Sequence, residues 1–137
     1  MIFDFLGDLN WLAVLVAAAA WFVFSAIWYS IPPLSKAWQS AAKVNAEEGP
    51  PLVMVLVPTF IGYFVTTIVI ALLVPAVGAT ELVDGIGLGV ALGVGFGLVG
   101  ALVTQMYEQK GGWYWLINGV NAIVAYSIVA VILTVWK

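Results

Sequence analysis

Asp84-Gly85-Ile86-Gly87-Leu88-Gly89-Val90-Ala91-Leu92-Gly93-Val94-Gly95-Phe96-Gly97-Leu98-Val99-Gly100-Ala101 admits two incompatible readings, and the choice between them decides the fold. Residues Gly95 to Gly100 match the G-x-G-x-x-G spacing of a dinucleotide-binding turn. That chemistry needs a strand-to-helix turn in a βαβ unit, with a pyrophosphate on the exposed helix N-terminus. Here the glycines sit inside an apolar run that continues to Met106. A run of about 20 apolar residues crosses the roughly 30 Å hydrocarbon layer as a helix. In lipid it must be helical to satisfy its own backbone. The fingerprint is therefore an accident of composition, and no cofactor is expected.

Outward from this stretch, three more runs share its character. The expected spans are about 10–30, 52–77, 84–106 and 113–136. Connections of a few residues around 78–83 and 107–112 predict consecutive antiparallel helices. Composition agrees: the 137 residues are 64% hydrophobic and 8% charged. An average soluble domain is about 45–50% apolar and about 25% charged. A soluble globular domain is excluded. The expected fold is an all-α integral membrane protein, a single membrane domain over 1–137 with four transmembrane helices in an antiparallel bundle. The leader of the first run carries Asp4 and Asp8 instead of Lys or Arg, so that run is expected as a retained span and not a signal peptide.

The connection over 34–48 is long enough for structure of its own. Leu34, Trp38, Ala41 and Ala42 recur at helical spacing, with Lys36, Gln39, Ser40 and Lys43 opposite. This predicts a short amphipathic helix lying in the interface between the first two spans. Trp28, Tyr29, Lys36, Trp38 and Lys43 are the expected interfacial anchors. Pro32 and Pro33 are expected to stop the first span. Lys36, Lys43 and Lys110 fall on one side of the membrane and Lys137 on the other. The lysine bias places the first side in the cytoplasm and both termini outside. Glu47, Glu48 and Glu108 share the basic side, so the bias is small.

Gly85, Gly89, Gly93 and Gly97 recur every four residues, and Gly100 continues that face by spacing. Glycine costs roughly 1 kcal/mol against alanine inside a helix. Close backbone approach compensates in membrane helices. The approaching backbone belongs either to the same chain or to a second copy. Gly87, Ala91 and Gly95 form another small-residue line on a different side, so one face could serve each purpose.

Polar residues are few. Pro58 leaves the Met54 carbonyl without its donor and is expected to bend the second span. Thr59, Tyr63, Thr66 and Thr67 follow it as a polar stripe. Asn118 and Asn121 share a face of the last span, and Ser25, Thr104 and Gln105 lie near the ends of the first and third. An unpaired amide in hydrocarbon costs several kcal/mol, so both asparagines should face inward. Two readings remain open: interhelical hydrogen bonds, or a polar pocket of Ser25, Thr59, Tyr63, Thr104, Asn118 and Asn121 open to the cytoplasm. Trp21, mid-span, is expected to pack in the core.

Chemistry is sparse. The chain has no His and no Cys, and no charged residue sits centrally in a span. That removes the usual general base, thiol nucleophiles and thiolate metal sites. Buried titratable residues, which ion-coupled transporters ordinarily carry, are also missing. No enzyme and no metal site is expected. A net charge of −3 without arginine argues against nucleic acid.

Three stretches resemble a known family: Ala26-Ile27-Trp28-Tyr29-Ser30 leading to Lys36-Ala37-Trp38, the Gly-rich third span ending in Tyr107-Glu108, and Leu116-Ile117-Asn118-Gly119 leading to Trp136. They resemble the bacterial membrane-protein family catalogued as domain of unknown function 1761. In that family the first helix ends in W-Y-S-P followed by G-K-A-W, and the last opens with L-I-N or L-I-D. The resemblance covers essentially the whole chain. It implies four helices and a bacterial inner-membrane location, and it brings no activity. Two features depart from it. Ile31 displaces the proline after W-Y-S, and Asn121 stands where the family often has His.

The expectation is a non-enzymatic membrane protein surrounded by lipid that acts by association, as a homo-oligomer or an accessory subunit of a larger membrane complex. The third-span glycines would make the contact. One alternative is a small oligomeric channel or carrier lined by Asn118, Asn121, Thr59 and Tyr63. Another is a protein that binds lipid or a hydrophobic ligand.

Overall fold

The computed structural model describes residues 1–136. Lys137, the lysine expected on the side opposite the other three, lies outside the described residues. A 3-10 turn, Ile2–Asp8, leads to α1 (Trp11–Trp28), whose first turn is capped by the Asn10 side chain accepting from the Ala13 N–H at 3.1 Å. Helix α2 (Pro32–Ala42) follows directly. Pro32 and Pro33 thus separate two helices and also open the second, since the first turn has no use for their missing N–H groups. The helix expected over 34–48 stops at Ala42, because Lys43 adopts a left-handed conformation (φ 60°) with its N–H on the Gln39 carbonyl. A separate 3-10 turn, Ala46–Glu48, completes the connection.

Helix α3 (Leu52–Ala76) holds Pro58 and Pro75 within it. After a turn at Gly78 (φ 72°), the Asp84 carboxylate accepts the Thr80 and Glu81 backbone N–H groups, both at 2.9 Å. This is the capping that starts the glycine-rich helix. That helix runs unbroken from Leu82 to Glu108: α4 (Leu82–Leu92), a π-helical turn (Gly93–Leu98) and α5 (Val99–Glu108). Helix α6 (Tyr114–Val135) closes the chain. No strand occurs among the described residues, and four helical stretches are long and apolar enough to cross a membrane.

Helix α6 is the centre of the fold. It packs against α1, against α3 and along the whole of α4–α5, while α1 and α3 also pack on each other. Ala17, Trp21, Ile70, Ala125, Val129 and Ala130 form the core. Trp21 therefore packs as expected.

The glycine line lies on the α4–α5/α6 seam. A Cβ on Gly85 would come within 2.9 Å of the Val131 Cα. On Gly89 and Gly93 it would run into the Ser127 and Ile123 backbone, and on Gly97 into the Ala122 side chain. The close approach is thus made inside the chain, and these four glycines leave no room for a second copy. Gly100 departs from the line and faces open space, because the wider i→i+5 turn before it rotates the rest of the helix. Gly87 and Gly95 are open too.

Connections that are far apart in sequence meet at the start of α6. The Gly111 N–H donates to the Ala41 carbonyl at 2.6 Å, Lys110 Nζ to the Ala42 carbonyl at 2.9 Å, and Lys43 Nζ to the Gln109 carbonyl at 2.6 Å. Lys43, expected as an interfacial anchor, is thus held by a backbone oxygen, as is Lys110. Lys36 remains exposed.

Candidate functional site

Three helices bring polar side chains to one end of the α1–α3–α6 group. Ser25 and Tyr29 are four apart on α1, Thr59 and Tyr63 four apart on α3, and Asn118 and Asn121 three apart on α6. Each pair therefore shares a helix face. Between α1 and α6, Asn121 Nδ2 donates to Ser25 Oγ at 3.3 Å, and Ser25 Oγ lies 3.5 Å from Asn121 Oδ1. One turn away the Tyr29 hydroxyl donates to Asn118 Oδ1. Ser25 and Asn121 are buried, so each offsets the desolvation of the other.

On α3 the threonines bond locally. Thr59 Oγ1 donates to the Val55 carbonyl at 2.6 Å and Thr67 Oγ1 to the Tyr63 carbonyl at 2.7 Å. A threonine that bonds back onto its own helix is satisfied without a partner helix. No hydrogen bond to the Tyr63 hydroxyl or to Asn118 Nδ2 occurs among the described residues, and neither atom is sealed from its surroundings.

A cleft of about 230 Å³ opens between α1 and α3. Its polar wall is Ser25, Tyr29, Thr59 and Tyr63, and its apolar wall is Phe22, Ala26, Val55 and Leu56. No charged side chain lines it. Pro58 lies one residue before Thr59, at the cleft, where the helix has no N–H for the Met54 carbonyl. From Leu52 to Val57 α3 is exposed, whereas from Thr67 onward it contributes Ile70, Ala71, Leu72 and Val74 to the interior. Rings close the inner end: Trp21 stacks on Tyr63 with centroids 4.0 Å apart, and Tyr126 meets Trp21 edge-on at 5.3 Å. Aromatic pairs in these geometries add to their area burial.

Five of the six residues expected in a polar pocket thus converge, with Asn118 and Asn121 behind the wall that Ser25, Thr59 and Tyr63 help to form. Thr104 does not join them. It lies on α5, whose main neighbour is α6, and α6 stands between α5 and the cleft. Gln105, beside it, uses Oε1 to accept the Trp115 N–H at 3.0 Å at the start of α6. Sequence reasoning placed Tyr29 among the interfacial anchors and missed its bond to Asn118. The signal was its position four residues after Ser25. Trp38 sits edge-on to Tyr29 at 5.4 Å, and the indole N–H groups of Trp28 and Trp38 are buried without an acceptor among the described residues.

Hydroxyls, amides and ring faces can recognise a neutral ligand, and they supply no acid or base that works near neutrality. Among the described residues no group of three or more His, Cys, Asp or Glu is placed to hold a metal ion.

By fold this is an all-helical protein with four helices of the length and apolarity of membrane spans. The chain belongs to the family described as Protein of unknown function (DUF1761), which it matches over residues 12–134. No curated protein and no solved structure matches it.

Proposed function

We propose that this is a non-enzymatic, multi-pass protein of the bacterial inner membrane that carries or conducts a small uncharged polar solute through the α1–α3 cleft. In this reading the four long helices run antiparallel across the bilayer, α2 lies in the interface, and both termini are extracytoplasmic. One observation carries the proposal: Ser25, Tyr29, Thr59 and Tyr63 line an open cleft of an otherwise apolar bundle, with the α6 asparagines bonded behind it. The lack of charge on the lining favours a neutral solute over an ion. Shrink–swell light scattering of proteoliposomes with glycerol as probe tests it. The protein should speed glycerol entry over protein-free vesicles. Ala26→Phe, which fills the cleft, and Asn118→Leu, which removes the amide behind it, should each slow that entry. Entry at the protein-free rate, or unaltered in both variants, refutes the reading.

A second reading, association with another copy or with a larger membrane complex, draws support from the opposite side of the molecule. Helix α4–α5 rests mainly on α6, and its outer face presents Gly87, Ala91 and Gly95 with nothing against the two glycines. Small residues of this kind let a second helix approach closely. Native mass spectrometry of protein extracted gently from its own membranes tests it. A defined oligomer or complex that Gly87→Leu and Gly95→Leu dissolve supports the reading, and a monomer before substitution refutes it.

A further inference from the structure

Another cavity lies at a different face of α1 from the cleft. It is a groove of about 380 Å³ beneath α2, walled by Pro33, Leu34 and Ala37 on α2, Trp28 on α1, and Leu116 and Val120 on α6. Helix α2 is tied at both ends, and its middle is held towards α1 by Trp38 on Tyr29, which leaves the groove on its Pro33, Leu34 and Ala37 side. Its start follows α1 after three residues, and its last turn is held by the Gly111 and Lys110 bonds to the Ala41 and Ala42 carbonyls. Between these ties Ala37 is too short to fill the space to α6. Water inside would find almost no partner, so the space suits an apolar occupant.

Charge on α2 and at its tied end narrows the choice. Lys36 is exposed on α2, one residue before Ala37, and Lys43 and Lys110 stand at the tied end. Glu47, Glu48 and Glu108 are exposed on neighbouring segments. None of the three ammonium groups lies within 4.0 Å of a carboxylate, since the ion pair found among the described residues joins the N-terminus to Asp4. An apolar slot beside unpaired cations matches an anionic amphiphile.

We propose that the groove is a lipid site that seats one acyl chain of an anionic phospholipid, with the headgroup phosphate at Lys36. The lipid comes from the leaflet on the α2 side. The site is separate from the α1–α3 cleft and does not depend on solute passage.

Native mass spectrometry of the full chain in mild detergent, with phosphatidylglycerol or phosphatidylcholine added, tests the site. Wild type should retain one phosphatidylglycerol in preference to phosphatidylcholine. Ala37→Trp fills the groove and leaves every lysine in place, and it should abolish retention. Val120→Trp fills the groove from the opposite wall, so a folding failure of one variant leaves the other to decide. Lys36→Gln should keep the chain seated and lower the preference for phosphatidylglycerol roughly five-fold, the effect of one lysine near a lipid surface. Unchanged retention in a folded groove-filling variant overturns the proposal. So does equal retention of the two lipids by wild type, or a doubled mass that Ala37→Trp halves, which would make the occupant a second copy.

Discussion

The α4–α5/α6 seam and the α1–α3 cleft are built from similar apolar helices and end in opposite states. Along the seam four glycines bring backbone against backbone, and no space is left. At the start of the α1–α3 pair Ala13, Val14, Ala17 and Ala18 of α1 and Ile70, Ala71, Leu72 and Val74 of α3 are buried, around a cavity of about 210 Å³. Past Trp21 the pair changes. Trp21 and Tyr63 stack between the helices, Pro58 interrupts α3, and the gap beyond is lined by Ser25, Tyr29, Thr59 and Tyr63. In such a bundle the polar groups sit where bulk prevents closure. Small residues decide where nothing can enter, and large ones decide where something can.

The seam offers the largest test. Gly89→Leu forces a side chain into the Ser127 backbone, which cannot rotate away as a flexible side chain could. The expected loss is about 3 kcal/mol or more, the upper end of what overpacking costs. Unfolding followed in detergent measures it. Gly87→Leu, two residues away on the open face, should stay within about 0.5 kcal/mol of wild type. Comparable losses at the two sites would erase the distinction between the closed and open faces of that helix.

At the polar end the effects are smaller. Asn121→Leu removes the partner of a buried serine and should destabilise the protein by about 1–2 kcal/mol. Ser25→Ala in the Asn121→Leu background should recover part of that loss, because it deletes the orphaned hydroxyl. A double variant as unstable as the sum of the two single variants would mean that the two groups do not act as a pair.

Much of this was legible in the residues, and the remainder was hidden for physical reasons. The length of each apolar run gave the four long helices, since a bilayer imposes its thickness on whatever crosses it. Glycine spacing announced a close backbone approach. It could not say whose backbone, because Gly89 meets Ser127 in the same way whether Ser127 is in the same chain or in another. The π turn had no separate signature, since Gly93–Leu98 reads like the glycine-rich α-helix around it. Ser25, Thr59, Tyr63, Asn118 and Asn121 could be grouped because a polar group in an apolar helix has few places to go. Thr104 was grouped with them by depth alone, and depth does not reveal that α6 lies between. The bonds of Lys43 and Lys110 join segments more than 60 residues apart in the chain. No local pattern marks them, and a lysine at a membrane boundary is as well explained by headgroups.

Pro58→Ala sharpens the comparison by giving the open side what the seam already has. The substitution restores an N–H to the Met54 carbonyl and removes the ring that interrupts α3. Stability should rise by roughly 1 kcal/mol, one hydrogen bond's worth. Glycerol entry should fall as the Leu52–Val57 turns swing toward α1. Faster entry with a more stable helix would show that the bend restricts the cleft and does not create it.

The smallest expected effect is that of pH. No Asp, Glu, Lys or His lines the cleft. The side chain that changes charge between about pH 5 and 8 is above all imidazole, and the lining holds none. Glycerol entry should therefore be flat across that window. A step in glycerol entry near pH 6–7 would require a titrating group in contact with the solute. The chain has no histidine and the cleft no charged group, so a partner's side chain would be the simplest source. Such a step would move the active species from the single bundle to an assembly, and the open face at Gly87 and Gly95 would be the first place to look for the second component.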